Sequence, residues 1–263
     1  MLNDREVSQF IEEGFVRIEN AFSRELAVTV VNILWNDIPF DRWDPVTWTE
    51  PVVRLGMYHQ QPFVDSVNTP KLHAAYDQLI GANRWIPCRL VGTFPVRFPS
   101  TKKPNDTGKH IDASFPAEEP DNYFKWRVNI KSRGRALLML VLYSDIGDND
   151  APTLIDKGSH WDVAKLLSSE GDAGLSFIEL ADKLKTLPRR EEVVAVGKAG
   201  TVYLCHPFLV HGAQAHHGTV PKFMAQPPLL PKGDFFTDVS MHPLAPVEWA
   251  IQRVLASMGE QTN

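Results

Sequence analysis

The chain has 263 residues, 43% of them hydrophobic and 22% charged, with a formal net charge of −5. This is ordinary soluble globular composition, and the length suffices to bury a core without disulfides or a structural metal. The acidic balance argues against nucleic acid as a partner, no apolar run approaches the roughly 20 residues of a membrane span, and the polar opening Met1-Leu2-Asn3-Asp4-Arg5-Glu6 does not resemble a secretory signal.

In chain order, Val7, Phe10, Ile11 and Phe15 recur at helical spacing, and Glu12-Glu13-Gly14 marks that helix's end. A second helix is expected from Arg24 to about Asp37, with Leu26, Val30, Ile33 and Leu34 on one stripe. Trp35 to Trp48, rich in Trp, Asp and Pro, reads as an ordered loop, and a third helix is expected from Pro70 to Ile80. From Cys88 the texture turns to strands: Arg89 to Phe98, Asn129 to Ile130, Ala136 to Tyr143, Pro152 to Ile155, Glu192 to Val196, Thr201 to Cys205, Leu209 to Ala213, and Lys222 to about Ala225. The run Leu137-Leu138-Met139-Leu140-Val141-Leu142 fits a strand buried on both faces. Gly147-Asp148-Asn149-Asp150 and Gly197-Lys198-Ala199-Gly200 are turns between strands. Helices interrupt near Trp161 to Ser168 and Leu175 to Leu184, and a last one runs from Val247 to Met258.

This pattern is mainly β with flanking helices, a sandwich or barrel. One domain is expected over 1–263, with N-terminal helices (about 4–80) packed on a β core (about 88–230). Cys88 and Cys205 each lie in an apolar strand-like run and read as buried free thiols, as expected in a reducing cytoplasm.

His110-Ile111-Asp112 lies in a strand-like context. Residues two apart on a strand share a face, so one imidazole and one carboxylate can reach a single ion. A second imidazole from a distant strand would complete a two-His, one-carboxylate set with open positions, the arrangement of non-haem iron(II) oxygenases. With nine histidines in the chain, His-x-Asp alone is weak, and His160-Trp161-Asp162 is a second match. There Gly158-Ser159-His160 reads as a turn entering a helix, where positions two apart diverge, making a poor chelate.

Three segments carry more weight together: Gly108-Lys109-His110-Ile111-Asp112-Ala113-Ser114-Phe115, Ala151-Pro152-Thr153 with Gly158-Ser159-His160, and His206-Pro207-Phe208-Leu209-Val210-His211-Gly212. With Phe10-Ile11-Glu12-Glu13-Gly14-Phe15-Val16 they resemble the phytanoyl-CoA dioxygenase family, over about residues 5–230. The resemblance implies a double-stranded β-helix (jelly-roll, cupin-like), iron(II) held by His110, Asp112 and His211, 2-oxoglutarate as cosubstrate, and oxidation of a small-molecule substrate by dioxygen. It makes His211 the distal ligand and leaves His206 structural or behind the ligands.

In that family an arginine eleven residues past the distal histidine grips the far carboxylate of 2-oxoglutarate; here Lys222 stands there, and Ala213 stands where a small hydroxylated residue is common. A lysine offers a point charge where arginine offers a fork. Arg97 is the second candidate for a cosubstrate carboxylate. Phe115, Trp126 and Tyr58 are expected at the substrate pocket, with Trp43, Trp48, Met57 and Tyr123 as further aromatic or apolar candidates. The run Arg127, Lys131, Arg133, Arg135 reads as a solvated strand face, and His216-His217 as an exposed pair. Two competing readings are a cupin-like metalloenzyme that uses no oxo acid and a catalytically inactive binding protein.

Overall fold

The computed structural model describes residues 1–235 and 243–259. Its centre is a double-stranded β-helix, two antiparallel sheets wrapped face to face. The major sheet runs Phe15–Ile18, Val202–Cys205, Leu137–Leu142, Pro228–Pro231, Trp85–Ile86, with Met224–Ala225 also paired to Leu137–Leu142. The minor sheet runs Glu192–Ala195, Thr153–Asp156, His211–Ala213, Gly108–His110. Val52–Leu55 pairs with Phe94–Arg97, which meets Lys222 through an Arg97↔Lys222 bridge.

Period-two alternation sorts the side chains of the major sheet and of the segments flanking it into two cores. Phe94, Val96, Phe98, Met139, Val141, Phe223 and Ala225 face outward and pack with Phe63, Leu72, Tyr76 and Leu79 of the helices Gln61–Val67 and Pro70–Ile80. Leu138, Leu140, Leu142, Tyr203, Cys205 and Met224 face inward against Ile155, Ala195 and Leu209. All six residues of Leu137–Leu142 are buried, as the apolar run implied. Each fully buried aliphatic side chain stabilises the fold by about 1.5–3 kcal/mol before entropy is counted. The same alternation turns Arg97, between Val96 and Phe98, and Lys222, beside Phe223, away from the helices.

Helix boundaries follow their caps. Pro70–Ile80 begins at Thr69, whose side chain accepts from the Leu72 amide, with Pro at the first turn. Asp4–Glu13 carries a capping box from Asn3 and Glu6 and ends on left-handed Gly14 (φ 85), where any Cβ would press on the His160 ring. The second helix is α-helical only over Arg24–Leu34 and tightens to a 3₁₀ turn at Trp35–Asp37. The helix expected from Leu175 starts at Phe177, because Ser176 caps it in a box with Glu179 and leaves Leu175–Ser176 free to pair with Arg127–Val128.

Several expected strands are shorter or displaced. Arg89 to Phe98 forms a strand only over Phe94–Arg97, since the chain turns at Gly92 (φ 152). No strand forms at Asn129 to Ile130: the Asn129 side chain donates to the Asp172 carbonyl and accepts from the Arg133 amide, closing a turn instead. Ser159–Leu167 starts two residues before the expected helix, after left-handed Gly158. The strands Phe15–Ile18, Val52–Leu55 and Pro228–Pro231 and the helix Gln61–Val67 are too short for a periodic signal, and tertiary pairing creates them.

Candidate metal centre

The minor sheet brings His110 and His211 together, as directly opposed residues of adjacent strands. Gly212 permits the close approach, because a Cβ there would come within 2.8 Å of the Gly108 carbonyl oxygen. Asp112, two residues beyond His110, turns its Oδ1 to both rings, 3.5 Å from His110 Nε2 and 3.8 Å from His211 Nε2. One ligand atom from each of the three residues lies within 4.8 Å of the others.

Backbone carbonyls settle which ring nitrogen faces the centre. His110 Nδ1 lies 3.2 Å from the Gly108 carbonyl and His211 Nδ1 lies 3.1 Å from the Leu209 carbonyl. A carbonyl only accepts, so each Nδ1 carries the proton and each Nε2 keeps a lone pair for a ligand. His211 Nε2 is buried and makes no hydrogen bond, although buried nitrogens are ordinarily partnered. Two imidazole lone pairs and one carboxylate oxygen aimed at one point fit a divalent transition metal with open coordination positions.

The electrostatics agree. Burial raises the Asp112 carboxyl, but Arg135 and the two imidazoles outweigh it and hold the group well below the usual carboxylate range. Burial and the neighbouring His110 push His211 down to about 4. Burial also acts against a charged His110, but the Asp112 carboxylate beside its Nε2 raises it above the ordinary value, so a metal ion would displace a proton at that nitrogen.

The other His-x-Asp pair diverges on its helix. His160 Nε2 donates to the Ile11 carbonyl (3.0 Å), while Asp162 pairs with Arg190 at 2.6 Å. His206 is wholly structural: Nδ1 accepts from the Phe208 amide (3.1 Å) and Nε2 donates to the Val247 carbonyl (3.0 Å). Burial pushes His160 down to about 4 and His206 well below its usual range. Their pKa values are lower folded than unfolded, so their contribution is complete above about pH 6.5 and is lost as pH falls toward 4. His160 alone contributes roughly 3 kcal/mol of this loss. Thermal melts at pH 7.5 and 5 should show a clear drop in Tm, reduced in His160→Gln; an identical Tm at both would refute the assignment.

Lys222 is buried: it is 2% exposed and its Nζ donates to the Ala151 carbonyl at 2.6 Å. Burial, then the Arg97 charge, pushes it down to about 7. Arg97 is also inside but already engaged, with Nη2 2.9 Å from Asp106. The two candidates for a cosubstrate carboxylate thus share one bridge of the barrel wall, and Lys222 is the one with no ion-pair partner within 4 Å among the described residues.

Several sequence expectations need correction. Tyr58 is not brought to the triad: its ring stacks on Phe63 and abuts Phe94 in the outer core, and its hydroxyl donates to Asp37. His216 is buried, with Nδ1 accepting from the Gly218 amide, and only His217 is exposed. Arg135 is not on a solvated face but buried beside Asp112. Trp48 lies in the outer core against Phe98, and Trp43 is exposed beneath Arg42.

The aromatic wall nearest the triad comes from residues that periodicity does not mark. Phe177 of the helix Phe177–Leu184 has its ring 6.0 Å from His110, and Tyr123 packs on Phe177 at 5.5 Å. The Tyr123 hydroxyl accepts from the Ala113 amide (3.0 Å), strapping the intervening loop to the segment after Asp112. Trp126 packs on Tyr123 at 5.8 Å, and Phe115 lies under the Arg133 guanidinium.

No family model matches the sequence, and no curated protein matches it. Solved structures share the fold. A non-heme alpha-ketoglutarate-dependent carbocyclase, SnoK from nogalamycin biosynthesis, superposes with a TM-score of 0.57 at 15% identity over 89% of this chain and 86% of its own. EctD from S. alaskensis, solved with 2-oxoglutarate and 5-hydroxyectoine, gives 0.54 at 19% identity over 87% and 75%. HygX from Streptomyces hygroscopicus, with nickel, 2-oxoglutarate and hygromycin B bound, gives 0.54 at 14% identity over 93% and 96%. At such identities the likeness is one of fold.

Proposed function

We propose that this protein is a non-haem iron(II), 2-oxoglutarate-dependent oxygenase that hydroxylates a small molecule, built as one oxygenase domain of the phytanoyl-CoA dioxygenase type. The carrying observation is the buried Nε2 of His211, without a hydrogen bond, facing the Asp112 carboxylate and His110. His110, Asp112 and His211 would hold iron(II), and Lys222 would take the far carboxylate of the oxo acid. Bound there, iron(II) supplies the redox chemistry that couples decarboxylation of 2-oxoglutarate, with dioxygen, to substrate oxidation. The protein's part is to fix the tautomers of both histidines, keep Asp112 ionised, and offer one buried cation to the cosubstrate. The metal and 2-oxoglutarate recorded with HygX, at a protein of the same fold, support this reading. The Asp112 carboxylate occupies the position that a halide would need, which argues for hydroxylation or a related oxidation over halogenation. Among the described residues no helix is long and apolar enough to cross a membrane, and two buried free thiols support a reducing cytoplasm.

Lysine in place of the expected arginine favours one rival, a metalloenzyme that uses no oxo acid. Anaerobic titration separates them. Iron(II) and 2-oxoglutarate together should give a weak visible charge-transfer band, followed on oxygenation by succinate; no band and no oxygen-dependent succinate would exclude the proposal.

A further inference from the structure

Arg135 is a buried cation at the triad with no assigned part. It follows a turn through left-handed Ser132 (φ 46) and Gly134 (φ 79) and stands two residues before the all-apolar strand Leu137–Leu142. Gly134 lies so close to the Ser114 carbonyl that no Cβ fits, and Arg135 Nη2 donates to the Ala113 carbonyl at 3.3 Å. The turn is therefore fastened to the segment following Asp112. Only 7% exposed, Arg135 brings Nη1 to 3.3 Å from Asp112 Oδ2, while its Nε and Nη1 make no hydrogen bond. The two oxygens of Asp112 are thus divided: Oδ1 faces the imidazoles and Oδ2 faces the guanidinium.

This division has two physical consequences. A carboxylate with both oxygens free can grip a divalent ion through both and fill a coordination position. With Oδ2 held by a cation it offers one oxygen. The charge of Arg135 also offsets that of Asp112, so a divalent ion keeps more of its charge for an anionic ligand. Both effects weaken the bare metal's binding and favour a carboxylate-bearing ligand beside it.

We propose that Arg135 is a positioning residue that restricts Asp112 to one-oxygen ligation and so reserves a coordination position, and the charge to fill it, for the oxo acid. This rests on the oxygenase reading above.

The test uses the full chain with Mn(II) alone and then 2-oxoglutarate added, followed by calorimetry and by the free-Mn(II) resonance, in wild type, Arg135→Met and Arg135→Lys. Arg135→Met should hold Mn(II) more tightly than wild type, while the Mn(II)-loaded variant binds 2-oxoglutarate roughly 10-fold more weakly or worse, the size of a typical coupling between sites. Arg135→Lys, which keeps the charge without the fork, should fall between. A merely structural role predicts instead that both affinities fall together with Tm, and that result, or unchanged 2-oxoglutarate affinity, would overturn the proposal. If Arg135→Met does not fold, Arg135→Lys decides: weaker 2-oxoglutarate with undiminished Mn(II) supports it, and parallel loss refutes it. If wild type binds Mn(II) but no 2-oxoglutarate, the oxygenase reading fails. The metal arm then judges Arg135 alone: tighter Mn(II) in Arg135→Met supports one-oxygen ligation, and equal or weaker binding refutes it.

Discussion

His211→Ala is expected to lower divalent metal affinity by more than about 100-fold and to abolish metal-dependent turnover while the fold persists. The bound is set by mutations of residues merely behind metal ligands, which cost 10–100-fold, and His211 is itself a candidate ligand. Its Nε2 has no hydrogen bond to lose, and only the Leu209 carbonyl loses a donor. Packing loss is confined to one ring, about 1–3 kcal/mol on the scale of ordinary substitutions. His160→Ala is the matched control from the other His-x-Asp pair. It removes the bond to the Ile11 carbonyl and a ring packed against His206, so it should lower Tm with little change in metal affinity. Equilibrium dialysis with iron(II) under argon, beside thermal melts, reads both. Retained metal affinity in His211→Ala would remove the site from these residues.

Affinity for 2-oxoglutarate should weaken as pH rises above about 7, and Lys222→Ala should both lower it and flatten that dependence. In the free protein the Lys222 ammonium is held down to about 7 by burial and by Arg97. A carboxylate binds the charged form and raises its pKa, so binding takes up a proton above pH 7. Below pH 7 the lysine is already charged and the dependence disappears. In the intermediate range affinity should fall toward tenfold per pH unit. A charge-assisted hydrogen bond contributes about 1.5–3 kcal/mol, so Lys222→Ala should cost roughly 10- to 100-fold. Lys222→Arg keeps the charge at all these pH values and offers a fork, so it should keep or improve affinity and lose the pH dependence. Unchanged affinity in Lys222→Ala would move the anchor elsewhere, with Arg97 next. Breaking the Arg97 pair with Asp106 would then be part of the cost.

Contact between the two sides of the barrel is what local sequence could not supply. Lys222 was recognised from its distance to His211, yet its partner, the Ala151 carbonyl, lies on a segment 71 residues away. Its depressed pKa is likewise a product of tertiary burial. Tyr58 looked like a pocket aromatic because it stands among loop residues. Its bridge to Val91 carries it to the helix side of the major sheet instead. A strand's two faces are equivalent in sequence until the register is known, and one residue of slip exchanges core for site.

The sequence by itself determined the helix Pro70–Ile80, the doubly buried strand Leu137–Leu142 and the buried thiols, whereas the strand expected to carry both His110 and Asp112 ends at His110 and leaves Asp112 in the segment beyond. Each of the three depends on near neighbours in the chain, through helical spacing and apolar run length. The family resemblance had already named His211 as the distal ligand, but only the tertiary structure set it directly opposite His110, left its Nε2 without a hydrogen bond, and carried Arg135 out of an apparently solvated basic run to the back of Asp112. A charge before an apolar strand was the one local hint of Arg135. Which carboxylate it meets is a matter of sheet closure, because residues far apart in the chain acquire a common dielectric and a common partner only when the barrel forms.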